Sequence, residues 1–289
     1  MTHKNSLAIY GAVIGDYYGS FWEFRQDKPQ NLSDALKLRQ FGHHITDDTV
    51  MTAAIAKAIL DKDKANEKGQ DVDFKRFCID NMKELGHKYP TSYGGAFARW
   101  LFSDDTQPYY SFGNGGAMRI SPVPLAAQTY RDMKSMCNEA TSVTHDHPFS
   151  LHYALLTSEI IYFCKYKPIE LDPHKASLRN MIKKFSPNDY KQISEMSLER
   201  LYYEYQFTER IQDTVPQAIY CFLSSSSFKD CLGRALYIGG DSDTLAAIAC
   251  SMAAIYYGDK EVEPFYIMLG ELPKDIDDIL KVFSRKYLC

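Results

Sequence analysis

The stretch TDDTVMTAAIAKAIL, residues 46–60, decides the fold, because two acids and two threonines open a segment with the composition of a buried helix. A second stretch, DSDTLAAIACSMAAI at residues 241–255, repeats this arrangement far along the chain. Alanine and larger apolar residues dominate both stretches behind the acids. The sequence therefore predicts two core helices whose N-termini carry the same polar chemistry.

These acid-and-threonine clusters can be read as helix caps or as metal ligands. Thr, Ser and Asp cap helix N-termini, and acids there are favoured by the helix dipole, but capping accounts for only one oxygen per helix. If the clusters meet, four aspartates bring a formal charge of about −4 into a small volume, which is untenable without a cation. Two divalent ions would balance that charge, and hard oxygen ligands favour Mg²⁺, Mn²⁺ or Ca²⁺. We expect the clusters to serve as both caps and ligands.

Composition bounds the class of protein and its partners. The 289 residues are long enough to bury a sizeable core, and we expect one domain over residues 1–289. The chain has 33 basic against 37 acidic residues and a net charge of −4, so no basic field predicts nucleic-acid binding. An ordinary globular monomer is expected.

Three features bear on the compartment. The first six residues are polar and lack the pattern of a secretory signal. The longest apolar run, residues 245–257, falls short of the roughly 20 residues that span a bilayer. Seven scattered cysteines without a Cys-x-x-Cys pair argue against a disulfide framework or a zinc ribbon, and buried free thiols are expected. We expect a cytoplasmic protein without a membrane role.

Helical periodicity runs through most of the chain, and paired period-2 runs are hard to find, so an all-α fold is predicted. The mixed-charge run at residues 61–69 is expected to be a solvated surface loop. Two long irregular segments, residues 26–44 and 89–121, are of a kind that is usually functional or disordered in a compact domain. The predicted helices cover residues 7–22, 50–60, 73–85, 150–166, 194–209, 214–223, 228–238, 245–257 and 273–287.

The first predicted helix carries glycines and acids with different meanings. Gly11, Gly15 and Gly19 recur every four residues, so they share one helical face and permit close packing with another helix. Asp16 and Glu23 lie among apolar and aromatic neighbours, where a carboxylate needs a partner if it is buried. Glu23 could reach a metal or its water, whereas Asp16 could equally brace a loop.

The segment SFGNGGAMR, residues 111–119, has the composition of a phosphate-binding loop or of a tight turn. Its glycines could adopt positive φ and bring backbone N–H groups close to a phosphate. It is not a dinucleotide fingerprint, because no strand precedes it and its third glycine is replaced. Tyr109, Tyr110 and Phe112 offer flat faces to a base. Farther on, His145 suits hydrogen bonding to a substrate better than metal binding.

Together these motifs resemble the ADP-ribosylglycohydrolase family, which includes dinitrogenase reductase-activating glycohydrolase and the ADP-ribosylarginine and ADP-ribosylserine hydrolases. The resemblance implies a compact orthogonal helical bundle. It also implies an enzyme that releases ADP-ribose from a modified protein, at an arginine or serine linkage, by cleaving the bond at the anomeric ribose carbon. Four ordered motifs carry it: GDYYGSFWE at 15–23, TDDT at 46–49, SFGNGGAMR at 111–119 followed by Thr144 and His145, and GGDSDT at 239–244.

The resemblance further implies the residues of the site, built around two Mg²⁺ or Mn²⁺ ions. Phe112 stands where a close relative would have tyrosine, so a hydroxyl contact would be lost there. The implied metal ligands are Thr46, Asp47, Asp48, Asp241, Asp243 and Thr244. The implied catalytic residues are Asp47, Asp48 and Glu23. The implied contacts to ADP-ribose are Glu23, Ser111, Phe112, Gly113, Asn114, Gly115, Gly116, Met118 and His145.

Two other functions and the linkage stay open at this stage. A relative that binds ADP-ribose without catalysis could retain the same ligands. The Asp241-x-Asp243 pair also occurs in metal-dependent phosphohydrolases, although there it should follow a strand early in an α/β domain. Arginine, serine, nucleobase, O-acetyl and poly(ADP-ribose) linkages differ only beyond the anomeric carbon, so an ADP-ribosylated nucleic acid is not excluded.

Overall fold

A computed structural model of the protein describes residues 5–25, 27–39, 41–70, 73–91, 93–166 and 175–289. Within these ranges the regular structure is helical, apart from one isolated antiparallel bridge between Gly113 and Arg210. The all-α prediction is confirmed. The helices are α1 (Tyr10–Gly19), α2 (Leu32–Ala35), α3 (Asp47–Glu67), α4 (Phe74–Lys88), α5 (Gly95–Leu101), α6 (Gly115–Met118), α7 (Pro122–Ala126), α8 (Tyr130–Ser142), α9 (Pro148–Tyr166), α10 (Ala176–Phe185), α11 (Pro187–Ser194), α12 (Leu198–Glu204), α13 (Ile211–Ser224), α14 (Phe228–Ile238), α15 (Ser242–Tyr257), α16 (Asp259–Ile267) and α17 (Lys274–Tyr287).

Helix α15 lies at the centre of the bundle. All of its residues except Tyr257 are buried, and α1, α9, α13 and α14 pack around it. Its alanines leave room for these neighbours, and its larger apolar side chains fill the core. Gly239 and Gly240 connect the end of α14 to Asp241, so the strand that a phosphohydrolase motif requires is not found there.

The α1 glycines set the distance between α1 and α15. A Cβ added at Gly15 would lie 2.3 Å from the Ala246 carbonyl oxygen, and one added at Gly19 would lie 2.4 Å from the Asp243 Cα. Gly11 meets the α15 backbone in the same way. Any side chain at these positions would force the helices apart, so the packing prediction for the three glycines is confirmed. The end of α1 is thereby fixed against the start of α15.

Helix α3 is longer than predicted, and the expectation of a surface loop at residues 61–69 was wrong. The helix continues to Glu67 before the chain turns at Gly69. Its last turns are stabilised by ion pairs that a helix brings into register, including Lys57 with Asp61 at 3.3 Å. The alternating charges after residue 60 therefore belong to the exposed end of the helix rather than to a loop.

Several helices were missed because their apolar faces are narrow. Helix α8 buries Met133, Met136, Cys137 and Ala140, a clear i, i+3, i+4, i+7 series that polar neighbours obscure. Within the helix predicted over residues 194–209 only α12 is helical, because α11 ends at Ser194 and the chain is irregular between α12 and α13. The long segments at 26–44 and 89–121 also contain the short helices α2, α5 and α6.

The cysteines and the apolar helices bear on the expected class of protein. Six of the seven cysteines are buried thiols outside any disulfide, and Cys289 is exposed, which confirms the expectation of buried thiols. Among the described helices, none combines the length and the apolar character needed to cross a membrane.

Candidate active site

The two acid clusters meet where α3 and α15 begin. The Thr244 hydroxyl donates to Asp48 Oδ2 at 3.0 Å, and both residues are buried. The other oxygen of this carboxylate, Asp48 Oδ1, is buried without a hydrogen-bond partner among the described groups. The structure therefore brings the distant motifs together and leaves a carboxylate oxygen free between them.

Glu23 completes a group of three acids with the second cluster. One carboxylate oxygen each from Glu23, Asp241 and Asp243 lies within 4.8 Å of the others. Both aspartates are buried, Glu23 is partly buried, and Asp243 Oδ1 has no hydrogen-bond partner among the described groups. A free buried anionic oxygen is costly unless something positive binds it. These hard oxygen atoms therefore form a group that suits a divalent cation.

The electrostatics of the group lead to the same conclusion. Burial, and next the charge of Asp243, raise the pKa of Asp47 to about 8 and the pKa of Glu23 to about 9. The same two causes raise the pKa of Asp48 and that of Asp241 well above the ordinary range. Without a cation the cluster can relieve its repulsion only by taking up protons. With a cation all of these carboxylates can be ionised at neutral pH.

Asp16 is a buried carboxylate of this region whose two oxygens both accept hydrogen bonds from the protein. Its Oδ2 accepts from the backbone N–H of Thr46 at 2.9 Å and of Thr49 at 3.0 Å, and both threonine hydroxyls also donate to the carboxylate. Burial and Asp243 raise the pKa of Asp16 to about 7, while these hydrogen bonds act in the opposite direction. Asp16 therefore braces the start of α3, whereas the sequence had offered the bracing of a loop.

The two helix starts are built differently. Thr46 caps α3, since its hydroxyl oxygen accepts from the Asp48 N–H at 3.3 Å. Asp241 occupies the equivalent place before α15, but its side chain makes no capping hydrogen bond. It accepts instead from Asn114 Nδ2 at 2.6 Å. The expectation that both acid-and-threonine clusters cap their helices was wrong for the second cluster. Its Asp241 and Asp243 carboxylates lie beside Glu23 instead.

Several of these acids line a cleft that also contains the glycine-rich segment. Thr46 and Asp48 are buried next to this lining but are not part of it. Of the predicted metal and catalytic residues, the lining includes Glu23, Asp47, Asp241, Asp243 and Thr244. Of the remaining predicted contacts to ADP-ribose, it includes Ser111, Gly113, Asn114, Gly115, Met118 and His145.

The glycines of segment 111–119 pack closely on a buried histidine and do not adopt the positive φ angles that the sequence had suggested. None of its glycines has a positive φ. A Cβ would lie 3.4 Å from His145 Nε2 at Gly113 and 3.2 Å from it at Gly115, and Gly116 packs on the same ring. The glycines therefore let the buried His145 approach the segment closely.

Phe112 and Gly116 are the predicted contacts that lie outside the lining. Gly116 is buried beneath it, while Phe112 is 45% exposed and packs with Tyr110 and Phe149 around the ring of His147. Phe112 is held there because its carbonyl accepts from the N–H at the start of α13. A ligand would have to extend over the rim of the cleft to reach it.

The model of one protein family matches residues 6–286, which is nearly the whole chain, and its description is ADP-ribosylglycohydrolase. The chain belongs to the ADP-ribosylglycohydrolase family. Members of this family are enzymes that hydrolyse glycosidic bonds, so the predicted enzyme class and the resemblance are confirmed.

Named relatives of this family member are distant in sequence but match over most of their length. Human ADP-ribosylhydrolase ARH3 is 25% identical over 96% of this chain and 92% of that protein. ADP-ribosyl-dinitrogen reductase glycohydrolase of Rhodospirillum rubrum is 24% identical over 90% of this chain and 88% of that protein. ADP-ribosylarginine hydrolase Tri1 of Pseudomonas putida is 22% identical over 90% of this chain and 72% of that protein.

A solved structure titled ADP-ribosylglycohydrolase-related protein complex shares the fold. Its TM-score to this chain is 0.69 at 19% identity, with 97% of this chain and 96% of that chain covered. The predicted bundle type of the ADP-ribosylglycohydrolases is therefore confirmed.

Sequence reasoning missed several lining residues of this ADP-ribosylglycohydrolase. Phe24 follows Glu23 with a φ of 58°, in the left-handed region, and its ring contacts that of Phe207 with centroids 5.2 Å apart. Glu209 belongs to the same irregular segment between α12 and α13, whose approach no local pattern signals. Arg119 could have been noticed, because a lone arginine ends the glycine segment before an apolar run.

Proposed function

We propose that this chain is a divalent-cation-dependent hydrolase that releases ADP-ribose from a modified protein by cleaving the bond at the anomeric ribose carbon. The observation that carries the proposal is the cleft itself. Three acids with a free buried oxygen at Asp243 line it together with a glycine-rich segment and His145. The relatives named above are described by the same activity on ADP-ribosylated molecules.

The residues present fit a metal centre. Asp48 Oδ1 and Asp243 Oδ1 are buried carboxylate oxygens without protein partners in the described part of the chain, and all nearby donors are hard oxygens. We propose that Thr46, Asp47, Asp48, Asp241, Asp243 and Thr244 hold two Mg²⁺ or Mn²⁺ ions, with Glu23 beside them. Such ions would supply charge stabilisation for the ribose hydroxyls and lower the pKa of a water molecule.

The side chains of the protein hold the acids in place and transfer the protons of the reaction. Asn114 holds Asp241 in place through its side-chain amide, and Asp16 fixes the helix start that carries Asp47. Asp47 and Glu23 both line the cleft, so either carboxylate can take the proton of the attacking water or deliver one to the leaving group. Both roles require a carboxylate beside the anomeric carbon, in an oxocarbenium-like transition state.

The glycine-rich segment is the proposed nucleotide side of the cleft. The N–H groups of Gly113 and Asn114 already donate to the Ser111 hydroxyl and to the Glu209 carbonyl. Among the described groups, the N–H groups of Gly115 and Gly116 have no such acceptor, so they are available to diphosphate oxygens. Phe112 would meet the nucleotide only where it extends over the rim.

A release assay on defined substrates tests the proposal. Purified protein with Mg²⁺ should release ADP-ribose from an arginine- or serine-modified protein, and a nucleobase-linked substrate run beside them assigns the linkage. Calorimetry with ADP-ribose on the same sample separates binding from turnover. Tight binding without release from any of these substrates would show a binding protein and overturn the hydrolase.

A further inference from the structure

Arg119 is a buried cation that the proposed chemistry does not use. It is 1% exposed, lines the cleft, and lies 5.9 Å from the centroid of the Phe97 ring. Its Nη2 donates to the Thr144 hydroxyl oxygen at 2.7 Å, while Nε and Nη1 have no partner among the described groups. Keeping a charged side chain here is costly, and this single hydrogen bond is the polar contact that it makes within the described residues.

The Thr144 hydroxyl that accepts this hydrogen bond also contacts His145. The Thr144 Oγ1 lies 2.7 Å from His145 Nδ1, and His145 is buried while its ring lines the cleft. Nε2 faces the glycine segment, close to Gly113 and Gly115. Burial, and next the charge of Arg119, hold the pKa of His145 well below its ordinary value, so the ring is neutral and has one protonated nitrogen.

The donors and acceptors of these three residues favour one of the two nitrogens. An arginine can only donate, so it fixes the Thr144 oxygen as its acceptor. The threonine hydrogen is then directed to His145 Nδ1, and its donation is strengthened because the oxygen already accepts from a cation. A protonated Nδ1 would instead add a second donor to the same oxygen and point its positive end towards Arg119.

We propose that Arg119 and Thr144 are positioning residues that lock His145 in the neutral tautomer protonated at Nε2. The imidazole then presents an N–H donor to the glycine-rich side of the cleft and cannot act there as a base. A neutral donor suits the anionic diphosphate oxygens of a nucleotide ligand. This last step rests on the proposed function, whereas the tautomer does not.

The tautomer can be measured without any ligand. Nitrogen NMR of protein labelled at histidine nitrogens, with His145→Gln used only to assign the signals, should show Nε2 protonated and Nδ1 unprotonated in the parent. Thr144→Val removes the hydroxyl at nearly constant shape and should change this signature, while Thr144→Ser should keep it. Thr141→Val, at a buried threonine nearby whose hydroxyl has no hydrogen-bond partner among the described groups, is the matched control. A parent protonated at Nδ1 overturns the proposal.

Ligand binding supplies the second readout. ADP-ribose should bind Thr144→Val roughly tenfold more weakly than the parent, as expected when one charge-assisted hydrogen bond is lost. Thr144→Ser and Thr141→Val should bind within about twofold of the parent. For Thr144→Val, KM should rise while kcat changes little. If Thr144→Val binds ADP-ribose as tightly as the parent, the proposed positioning role of Arg119 and Thr144 is contradicted. A parent that shows the tautomer but does not bind ADP-ribose contradicts the proposed function alone.

Discussion

Asp16 and Asp243 are both buried acids at the junction of α1, α3 and α15, yet their surroundings differ. Asp16 accepts hydrogen bonds from the backbone and the hydroxyls of Thr46 and Thr49. Asp243 lies beside Glu23 and keeps a buried oxygen without a partner. A carboxylate that is fully bonded stabilises the fold, whereas one that is left free destabilises it until a ligand arrives. The same residue type thus serves structure at one position and, in the proposed function, binds a cation at the other.

Asp243→Asn gives the largest expected effect. Release of ADP-ribose should fall by roughly 10²–10³-fold, the usual loss when one preorganised electrostatic group is removed. The metal-free variant should nevertheless melt at a higher temperature than the metal-free parent, because a source of repulsion is gone. Assays of release and thermal melts with a chelator present check both effects. Lower stability together with full activity would place Asp243 with the structural acids.

Asp16→Ala should give the opposite pattern. The N–H groups of Thr46 and Thr49 would lose their acceptor, which should lower the free energy of unfolding by about 2–4 kcal/mol. Asp16→Asn should cost much less, because the amide oxygen can take the place of Oδ2. Urea unfolding of the two variants, with Asp243→Asn beside them, checks the contrast. If Asp16→Ala were as stable as the parent, Asp16 would not be a brace.

The pH dependence of the metal-free protein sharpens the comparison. Folded-state pKa values of about 8 for Asp47 and about 9 for Glu23 lie above their ordinary values of 3.8 and 4.5. The folded state therefore holds protons that the unfolded state releases, so this stability is present below about pH 4 and is lost as the pH rises through 8 and 9. Melting temperatures measured across this range should fall with a chelator present and fall less with Mg²⁺. If the melting temperature fell equally with pH in the presence of the chelator and of Mg²⁺, this would argue against cation binding at these acids.

The smallest expected effect concerns Phe24, which holds a left-handed backbone beside Glu23. Phe24→Gly should be about 1 kcal/mol more stable than Phe24→Ala, because glycine adopts this φ without strain. Phe41→Ala, at a phenylalanine that is 79% exposed, should leave stability unchanged and serves as the control. Chemical unfolding of the three variants measures the difference. Equal stability of the glycine and alanine variants would mean that the left-handed turn is not retained.

The sequence was most informative where chemistry and periodicity coincide. The helical starts at Thr46 and Asp241 could be predicted because cap residues and an alanine-rich core pattern occur together. The sequence also showed that Asp16 and Glu23 needed partners, but it could not tell which one was satisfied, since the donors come from another helix. The roles of the glycines near residue 115 depend on a buried histidine brought in from a different segment.

Other parts of the site could not be predicted, because they depend on contacts between distant segments. Phe207 and Glu209 enter the cleft from an irregular stretch whose course is set by packing on Gly240 and on the start of α13. No local pattern encodes such an approach. The charged end of α3 was misjudged for a related reason, since its exposed pairs resemble a loop until the partners on α17 are known.

A titration of metal-free protein with Mn²⁺, followed by electron paramagnetic resonance of the free ion, tests the central claim most directly. The parent should remove Mn²⁺ from solution in a saturable way at two sites per chain, and Asp243→Asn should lose this binding while Asp16→Asn keeps it. The opposite result, with no binding by the parent or equal binding by Asp243→Asn, would show that the unsatisfied acids do not form a metal centre.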